Sequence, residues 1–333
     1  MVAAIVVLYN PDKGALEELQ SSLIGQVDMI FMIDNTPGSS LPKPWFIKEW
    51  VSYVPLGTNK GIAEAQNIGI ELSRTRGYSH VLLLDQDSAA SPNMVDKLLA
   101  AERALLERGE RVAAITPHII DDRTGACPVA VRYRALGPLS AKKIYRDSGA
   151  SCPEQTDNFV SSGSLIRMDA LQALGEMRSD LFIDYVDTEW ALRAHVAGFR
   201  SFCVPNATLN HKQGDNAKTL LGKDIYLYNV LRYRYRIRNS VYLIRLRTMG
   251  WRWRAYSVSR VPYHLIIYSV FSTNRLRTFW LLLKALRDGW HGKLGPYSIQ
   301  SEVDRPAQPI PAELSPVSSD IFWSMSNTKH TLK

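Results

Sequence analysis

The sequence has little of what marks several large classes of protein. Its 333 residues contain three widely spaced cysteines and no CxxC pair: Cys127, Cys152 and Cys203. This small, odd number argues against a disulfide framework and a thiolate metal site, and it favours a reducing, cytoplasmic compartment. The seven histidines form no HExxH or comparable zinc pattern.

Long apolar runs are missing as well. The apolar start of the chain, residues 1–10, lacks a basic segment and a small-residue cleavage site, and it breaks at Asn10-Pro11. We interpret it as a buried strand and not as a signal peptide. The later apolar stretches, at 261–271 and 279–283, are shorter than the roughly twenty residues that a membrane-spanning helix needs. The sequence therefore predicts no transmembrane helix.

The chain does contain a regular series of short apolar runs. They lie at 3–8, 29–33, 81–84 and 112–115, are bounded by turn residues, and helix-like stretches separate the first three. Hydrophobic residues make up 46% of the sequence, which is enough for a sizeable core. This pattern predicts an α/β fold with βαβ units and a parallel sheet, whose ligands bind at the carboxyl ends of the strands.

Polar residues directly follow three of these runs: Tyr9-Asn10, Asp34-Asn35 and Asp85-Gln86-Asp87. The carboxylates of Asp85 and Asp87 can both reach a hard divalent cation such as Mg²⁺ or Mn²⁺, with diphosphate oxygens completing its shell. A carboxylate after a strand can also merely cap the next turn. Three such sets at equivalent strand ends favour a ligand site.

A segment with several small residues precedes the third run. Gly57 and Gly61 open a predicted helix in which Ala63, Ala65 and Gly69 allow close approach of backbone or ligand. Its spacing matches neither Gly-x-Gly-x-x-Gly nor a P-loop, which disfavours a dinucleotide fingerprint or a Walker site.

These motifs resemble those of family 2 glycosyltransferases of the GT-A fold, and specifically the bacterial rhamnosyltransferase branch. The resemblance rests on residues 7–11, 33–35, the Asn59-x-Gly61-x-Ala63-x-Ala65-x-Asn67-x-Gly69 helix and Asp85–Asp87, and it continues in order over about the first 290 residues. It implies a Rossmann-like mixed sheet flanked by helices, a metal-dependent inverting transfer, and dTDP-β-L-rhamnose as the donor.

The resemblance also implies roles for particular residues. Nucleotide-sugar contacts would come from the three strand ends, from the small-residue helix and from a later basic segment: Tyr9, Asn10, Asp34, Asn35, Asn59, Gly61, Asn67, Asp85, Gln86, Arg236 and Arg238. Asp34 would lie near the base or ribose, and either Arg236 or Arg238 would pair with the diphosphate. Asp85 and Asp87 would hold the metal, with His211 as a third ligand, although a lone histidine is more often structural.

The acceptor side is implied by two further segments. Residues 159–166 resemble a small-residue acceptor segment with Ser162, Gly163 and Ser164, but the same residues also suit a glycine-containing edge strand. The family's base is the Asp of an acidic pair, best matched by Asp187, and Val186 stands here in place of the preceding acid. Asp184 and Glu189 are therefore alternative bases, and any of the three acids could instead cap a helix.

The later part of the chain differs in composition from the rest. Residues 229–290 hold thirteen Lys or Arg, a single acid and four of the eight tryptophans, and the net charge of the whole chain is +8. We expect a catalytic domain at 1–215, a basic, aromatic helical region at 216–295 and a disordered tail at 296–333. Short apolar segments flanked by Trp, Tyr and Arg fit helices that lie on an anionic membrane, at the cytoplasmic face of the inner membrane, although a buried hairpin with a basic face fits too.

Several functions remain open at this point. The predicted transfer delivers a sugar to a lipid-linked glycan, or to a lipopolysaccharide or cell-surface polysaccharide precursor, but no residue distinguishes dTDP-rhamnose from a UDP-hexose by chemistry alone. A basic membrane- or nucleic-acid-binding scaffold without catalysis is the rival class. Nucleic acid is disfavoured because it leaves Asp85, Asp87 and Asp187 unexplained and because a carboxylate-rich cleft repels phosphate unless a metal neutralises it. A nucleotidyltransferase would need a Gly-rich basic loop near the N-terminus, for which residues 10–14 are a poor match. The oligomeric state is not indicated.

Overall fold

The computed structural model describes residues 1–38, 48–121, 130–133, 141–144, 152–211, 217–220, 223–226 and 229–297. The strands are β1 Val2–Leu8, β2 Met29–Asp34, β3 Val51–Pro55, β4 His80–Asp85, β5 Ser88–Ala90, β6 Val112–Asp121, β7 Ala130–Tyr133, β8 Ala141–Ile144, β9 Glu154–Thr156, β10 Leu165–Arg167, β11 Arg200–His211, β12 Ala217–Leu220 and β13 Lys223–Tyr226. The helices are α1 Lys13–Leu23, α2 Ile62–Thr75, α3 Met94–Glu107, α4 Met168–Leu174, α5 Val186–Val196, α6 Val230–Ile244, α7 Trp251–Val270 and α8 Arg275–Trp290. The predicted disordered tail falls, apart from residues 296 and 297, outside the described residues.

One large mixed sheet organises the first two thirds of the chain. Its strand order is β3-β2-β1-β4-β10-β6-β11-β5, with β9 added beside β11. Strands β2, β1 and β4 run parallel, as the sequence predicts, β3 joins them in the same direction beside β2, and β10 is antiparallel to both of its neighbours, β4 and β6. The carboxyl ends of β1, β2 and β4 therefore meet at one edge, which is the placement expected for their polar residues.

Successive side chains of β1 point to opposite faces of the sheet, and both faces are covered by helices. Ala3, Ile5 and Val7 belong to a core that includes residues of α2, α4 and α5, whereas Ala4 and Val6 belong to a second core with residues of α1 and α3. At Gly69 of α2 an added Cβ would lie 2.4 Å from the side chain of Ile5, so this glycine lets the helix pack directly on the strand. The predicted close approach at Gly69 is confirmed.

The basic, aromatic region is a group of helices built on α6, which packs against both α7 and α8. The alternating arginines of α6 do not form a solvated stripe, because Arg234, Arg236 and Arg238 are all buried. Tyr233 of α6 stacks on Tyr268 of α7 with ring centroids 4.0 Å apart. Within the part of the chain that the structure describes, no helix combines the length and apolarity needed to cross a membrane.

His264 of α7 links the stability of this helical group to pH. Its ring is buried and stacks on Tyr268, and burial, with Arg236 and Arg260 nearby, lowers its pKa to about 3. Unfolding restores a pKa of about 6.5, so the unfolded chain binds a proton that the folded helix does not. The stability that the neutral ring contributes is therefore present above pH 6.5 and is lost as the pH falls toward 3.

We expect His264→Phe to reduce the pH dependence of the unfolding free energy by about 1.4 kcal/mol per pH unit between pH 4 and 6. Urea denaturation at several pH values measures this slope. The control is His291→Phe, which replaces an exposed histidine at the end of α8. A slope that does not change in His264→Phe would contradict the assignment.

Candidate active site

A cleft opens at the carboxyl ends of β1, β2 and β4, between this edge of the sheet and the start of α6. Its lining comes from the strand ends, the loop before α2, the turn before α5 and α6: Val7, Tyr9, Asn35, Asn59, Gly61, Ile62, Asp85, Gln86, Phe182, Ile183, Asn229, Leu231, Arg232 and Tyr235. Six of the predicted nucleotide-sugar residues are in this set, namely Tyr9, Asn35, Asn59, Gly61, Asp85 and Gln86.

Gln86 ties two of the strand ends together. Its side-chain oxygen accepts from the backbone N–H of Tyr9 at 2.8 Å, and its amide donates to the carbonyl of Tyr9 at 3.1 Å. The residue is buried, so both bonds lie away from bulk water, where they hold their geometry best. The pairing fixes the spacing between β1 and the Asp85 side of the cleft.

Two asparagines shape the loop before α2. Asn35 donates to the side-chain oxygen of Asn59 at 3.0 Å and accepts the backbone N–H of Lys60 at 2.7 Å, while the same oxygen of Asn59 accepts from the N–H of Gly61 at 2.9 Å. Gly61 has φ +85°, and an added Cβ would lie 2.5 Å from the carbonyl oxygen of Phe182. Only glycine fits between this loop and the turn before α5.

Five of the predicted nucleotide-sugar residues lie outside the cleft lining: Asn10, Asp34 and Asn67, and the two predicted arginines of α6. Asp34 is buried and accepts from the hydroxyl of Tyr53 at 2.6 Å and from the N–H of Thr36 at 3.0 Å. Asn10 is exposed beside this turn, and its N–H donates to Thr36. Asn67 exchanges hydrogen bonds with the backbone of Met177 at 2.8 and 2.9 Å. These bonds brace α2 against the chain before α5, and the expected role of Asn67 in shaping the nucleotide pocket stays a prediction.

The serines of the predicted acceptor segment are also internal. Ser162 and Ser164 are fully buried; the hydroxyl of Ser162 accepts the N–H of Asp85 at 3.1 Å, and that of Ser164 donates to the carbonyl of Val160 at 2.6 Å. The N–H of Gly163 donates to the carbonyl of Leu83 at 2.7 Å. These residues support the end of β4 from behind. The edge-strand alternative is wrong, because β10 lies between β4 and β6.

The three candidate bases have different surroundings. Asp187 lies in the first turn of α5 and is buried; one oxygen accepts the N–H of Ser161 at 3.3 Å and the other accepts the N–H of Thr188 at 2.7 Å. The next residue along the chain, Ser162, accepts the N–H of Asp85. The Ser161-Ser162 segment therefore joins Asp187 to the end of β4. Asp184 instead receives two bonds from Arg232, both 3.3 Å long.

Glu189, the third candidate, is almost fully buried and is paired with Arg193 along α5. Two nitrogens of Arg193 lie 3.0 Å from the two carboxylate oxygens, and Arg193 also donates to the carbonyl of Glu176 at 2.8 Å. The pair therefore ties α5 to the chain that follows α4. This arrangement gives Glu189 a structural function and disfavours it as the base.

We expect Glu189→Gln to lower the unfolding free energy by about 1–3 kcal/mol, a range kept modest because the Arg193 side chain is 20% exposed. The folded fraction should keep its transferase activity. Urea denaturation and activity per folded molecule test both statements. The control is Glu17→Gln, which removes an exposed pair with Lys13 and should cost less than about 0.5 kcal/mol. Loss of activity without loss of stability would return Glu189 to the catalytic candidates.

The predicted diphosphate arginines lie deeper than expected. Arg238 donates to the side-chain oxygen of Asn239 at 3.0 Å and to the carbonyl of Leu181 at 3.1 Å, and also to the carbonyl of Gly295. It is a structural residue and does not line the cleft. Arg236 is buried 3.7 Å from Asp184 and does not line the cleft either. The arginine of α6 that lines the cleft is Arg232.

Of the three predicted metal ligands, the structure describes the side chains of Asp85 and Asp87 but not that of His211. Asp85 lines the cleft, and Asp87 is half-buried two residues further on. The backbone of His211 pairs with Ser88, the residue after Asp87, but the His211 side chain lies outside the described residues. Within the described part of the chain, no group of three or more His, Cys, Asp or Glu residues is gathered as a metal site.

Sequence reasoning missed the far side of the cleft, formed by Phe182, Ile183, Leu231, Arg232 and Tyr235. Phe182 and Tyr235 stack with ring centroids 5.0 Å apart and an angle of 15°. The alternation of arginine with aromatic and aliphatic residues at 232–238 marks this segment as unusual. It does not show which of these side chains face the cleft, because that depends on how α6 packs against its neighbours.

A polar edge formed by parallel strands, with a carboxylate and amide side chains facing a cleft, is the place where α/β proteins bind their ligands. The sequence model of glycosyl transferase family 2 matches residues 3–175. The chain belongs to this family, and it is a glycosyltransferase.

Similar proteins agree with this assignment. The dTDP-rhamnosyl transferase RfbF of Shigella flexneri is 31% identical over 246 residues, which cover 73% of this chain and 80% of that protein. The crystal structure of S. aureus TarS 1-349 aligns with a TM-score of 0.51 at 14% identity, over 86% of this chain and 81% of that one. The crystal structure of GalNAc-T7 with UDP, GalNAc and Mn²⁺ aligns with a TM-score of 0.53 at 14% identity; 86% of this chain spans 57% of that chain. These two similarities establish a GT-A-like fold of a mixed sheet flanked by helices.

Proposed function

We propose that the protein is an inverting rhamnosyltransferase that moves L-rhamnose from dTDP-β-L-rhamnose to a hydroxyl of a lipid-linked glycan or polysaccharide precursor. The observation that carries the donor is the 31% identity to a dTDP-rhamnosyl transferase over most of both chains. The cleft supports it because strand-end amides and a carboxylate face one space, as a nucleoside diphosphate requires. Inversion would give an α-linked rhamnoside.

The acidic edge fits a divalent cation. Asp85 and Asp87 offer hard oxygen ligands of the kind that Mg²⁺ and Mn²⁺ take, and the donor's diphosphate offers more. Asp85 and Asp87 would hold the ion, with His211 as a further candidate. A bound cation would neutralise the diphosphate leaving group as its bond to the sugar breaks.

Asp187 is the proposed base. Its carboxylate would take the proton from the acceptor hydroxyl while that oxygen forms a bond to the anomeric carbon, opposite the departing diphosphate. The two N–H groups that donate to Asp187 hold its carboxylate at the start of α5. Asp184 is paired with Arg232, which supports a positioning function for that carboxylate.

The decisive experiment for the donor is calorimetric titration with dTDP-rhamnose, UDP-glucose and UDP-galactose, each with Mg²⁺ or Mn²⁺ and again with a chelator. The proposal expects metal-dependent binding of dTDP-rhamnose and weak binding of both UDP-sugars. Preference for a UDP-hexose would replace the donor but keep the reaction class. Binding of none of the three would favour a non-catalytic scaffold.

We further propose that α7 and α8 lie on an anionic membrane, which would bring a lipid-linked acceptor to the cleft. Eight large apolar side chains on these helices are exposed: Trp251, Val258, Ile266, Val270, Leu276, Phe279, Trp280 and Trp290. Their helical spacing places them along one side of each helix. Arginine and lysine residues flank them, which suits anionic headgroups.

Sedimentation with vesicles tests this surface. The wild-type protein should bind vesicles that contain phosphatidylglycerol, and the double variant Leu276→Glu, Trp280→Glu should lose most of that binding. The matched control is the double variant Ile24→Glu, Leu106→Glu, which puts the same two charges on exposed apolar positions after α1 and in α3. Equal binding by all three proteins would refute the proposed surface.

A further inference from the structure

The two sides of the cleft differ in chemical character. The strand side presents amides, a hydroxyl and a carboxylate. The opposite side carries Asn229, Arg232 and Tyr235, and beside them four apolar side chains, Ile62, Phe182, Ile183 and Leu231, which we call the apolar wall. All four side chains are partly exposed, so apolar surface faces the space that a donor would fill. Partly exposed apolar groups beside a polar ligand site gain free energy when an apolar part of the ligand covers them.

The apolar wall is held in place by a strained turn. Phe182, Asp184 and Tyr185 have φ values of 67°, 63° and 67°, in the left-handed region that residues with side chains seldom adopt. Such strain persists only where the surroundings impose it, and it clusters at ligand sites.

The surroundings of this turn supply that constraint. The amide of Asn239 donates to three carbonyls of the turn, those of Leu181, Ile183 and Asp184, at 2.9, 2.8 and 3.1 Å. From the other side, the N–H of Ile62 donates to the carbonyl of Phe182 at 2.8 Å. The turn is thus anchored by both α6 and α2, which fixes Phe182 and Ile183 against the cleft.

The proposed donor carries two methyl groups that UDP-glucose lacks. One is the C5 methyl of thymine, and the other is the C6 methyl of the 6-deoxyhexose. Either methyl would bury apolar area against the apolar wall, whereas a hydroxyl at C6 would lose its water there without a polar partner in the four side chains of the wall.

We propose that the apolar wall receives a methyl group of the donor and thereby selects a thymidine-linked 6-deoxysugar over uridine-linked hexoses. This inference rests on the proposed function, since it takes dTDP-rhamnose as the donor. The two methyl groups share one chemistry, and ligand pairs that differ in a single group identify which of them meets the wall.

Calorimetry with Mg²⁺ present uses two ligand pairs. The pair dTDP and dUDP differs only in the thymine methyl, and dTDP-β-L-rhamnose and synthetic dTDP-β-L-mannose differ only in a hydroxyl at C6. We expect at least one preference: about fourfold for dTDP over dUDP, or about tenfold or more for rhamnose over mannose. Leu231→Asn, which keeps the branched shape of the side chain, and Ile183→Thr, which keeps the branch at Cβ but is one carbon shorter, should both abolish that preference because they make the wall polar, and Leu231→Met should retain it.

The outcomes separate the two proposals. Binding of dTDP and transfer of rhamnose without either methyl preference would overturn the apolar wall alone. A preference that persists in both polar variants would also overturn it, because the selection would then come from elsewhere. Failure to bind dTDP together with failure to transfer rhamnose would remove the proposed function and the wall with it.

Discussion

Asp187→Asn is expected to reduce rhamnosyl transfer by about 10²- to 10⁴-fold, the contribution that a positioned general base makes. The substitution keeps the shape of the side chain and an oxygen for the N–H of Ser161, but removes the basic group. Donor affinity should stay within about twofold of wild type, because Asp187 is not in the lining of the donor cleft. The measurement is kcat for transfer together with the calorimetric Kd of dTDP-rhamnose.

Two companion variants make this test specific. Asp184→Asn weakens the pairing with Arg232 and Glu189→Gln weakens the pairing with Arg193, and neither removes the proposed base. Both should retain far more activity per folded molecule than Asp187→Asn. If Asp187→Asn keeps full turnover while Asp184→Asn loses it, the base is Asp184.

Asp85→Asn is expected to weaken metal-dependent donor binding by at least the roughly 10- to 100-fold that loss of an outer-shell partner costs a metal site. The variant is isosteric, so the hydrogen bond from its backbone N–H to Ser162 should survive. The loss therefore reports the charge of the carboxylate. Calorimetry with dTDP-rhamnose and a Mn²⁺ titration measures it.

The control for this prediction is Asp96→Asn, which makes the same chemical change on the exposed first turn of α3. It should leave the metal titration unchanged. An Asp85→Asn protein that binds donor with wild-type affinity and wild-type metal dependence would show that the cation, if one is used, is held elsewhere.

The strand ends were the most predictable part of the site. Each of the first three apolar runs forms a parallel strand, and alternation along β1 fills both cores, so the positions of Tyr9, Asn35 and Asp85 follow from the sequence. Strand β3 was missed because its five residues include Ser52 and end at Pro55, which weaken a strand pattern.

Side-chain direction was much less predictable. Asn67 carries the motif but turns toward Met177, and Ser162 and Ser164 point into the protein, because these directions depend on contacts far apart in sequence. Among the alternating arginines, the packing of α6 on α7 and α8 decides that Arg232 reaches the cleft while Arg238 binds backbone carbonyls. No local pattern contains that information.

Helix α6 has a mechanical consequence. It is a single rod of fifteen residues, about 22 Å long, whose first turns supply Leu231, Arg232 and Tyr235 to the cleft and whose body is clasped by α7 and α8. The far side of the cleft therefore rests on the same helix that α7 and α8 cover. A substitution that loosens the packing of α7 or α8 on α6 should thus also reach the donor site, although its position lies far from the ligand.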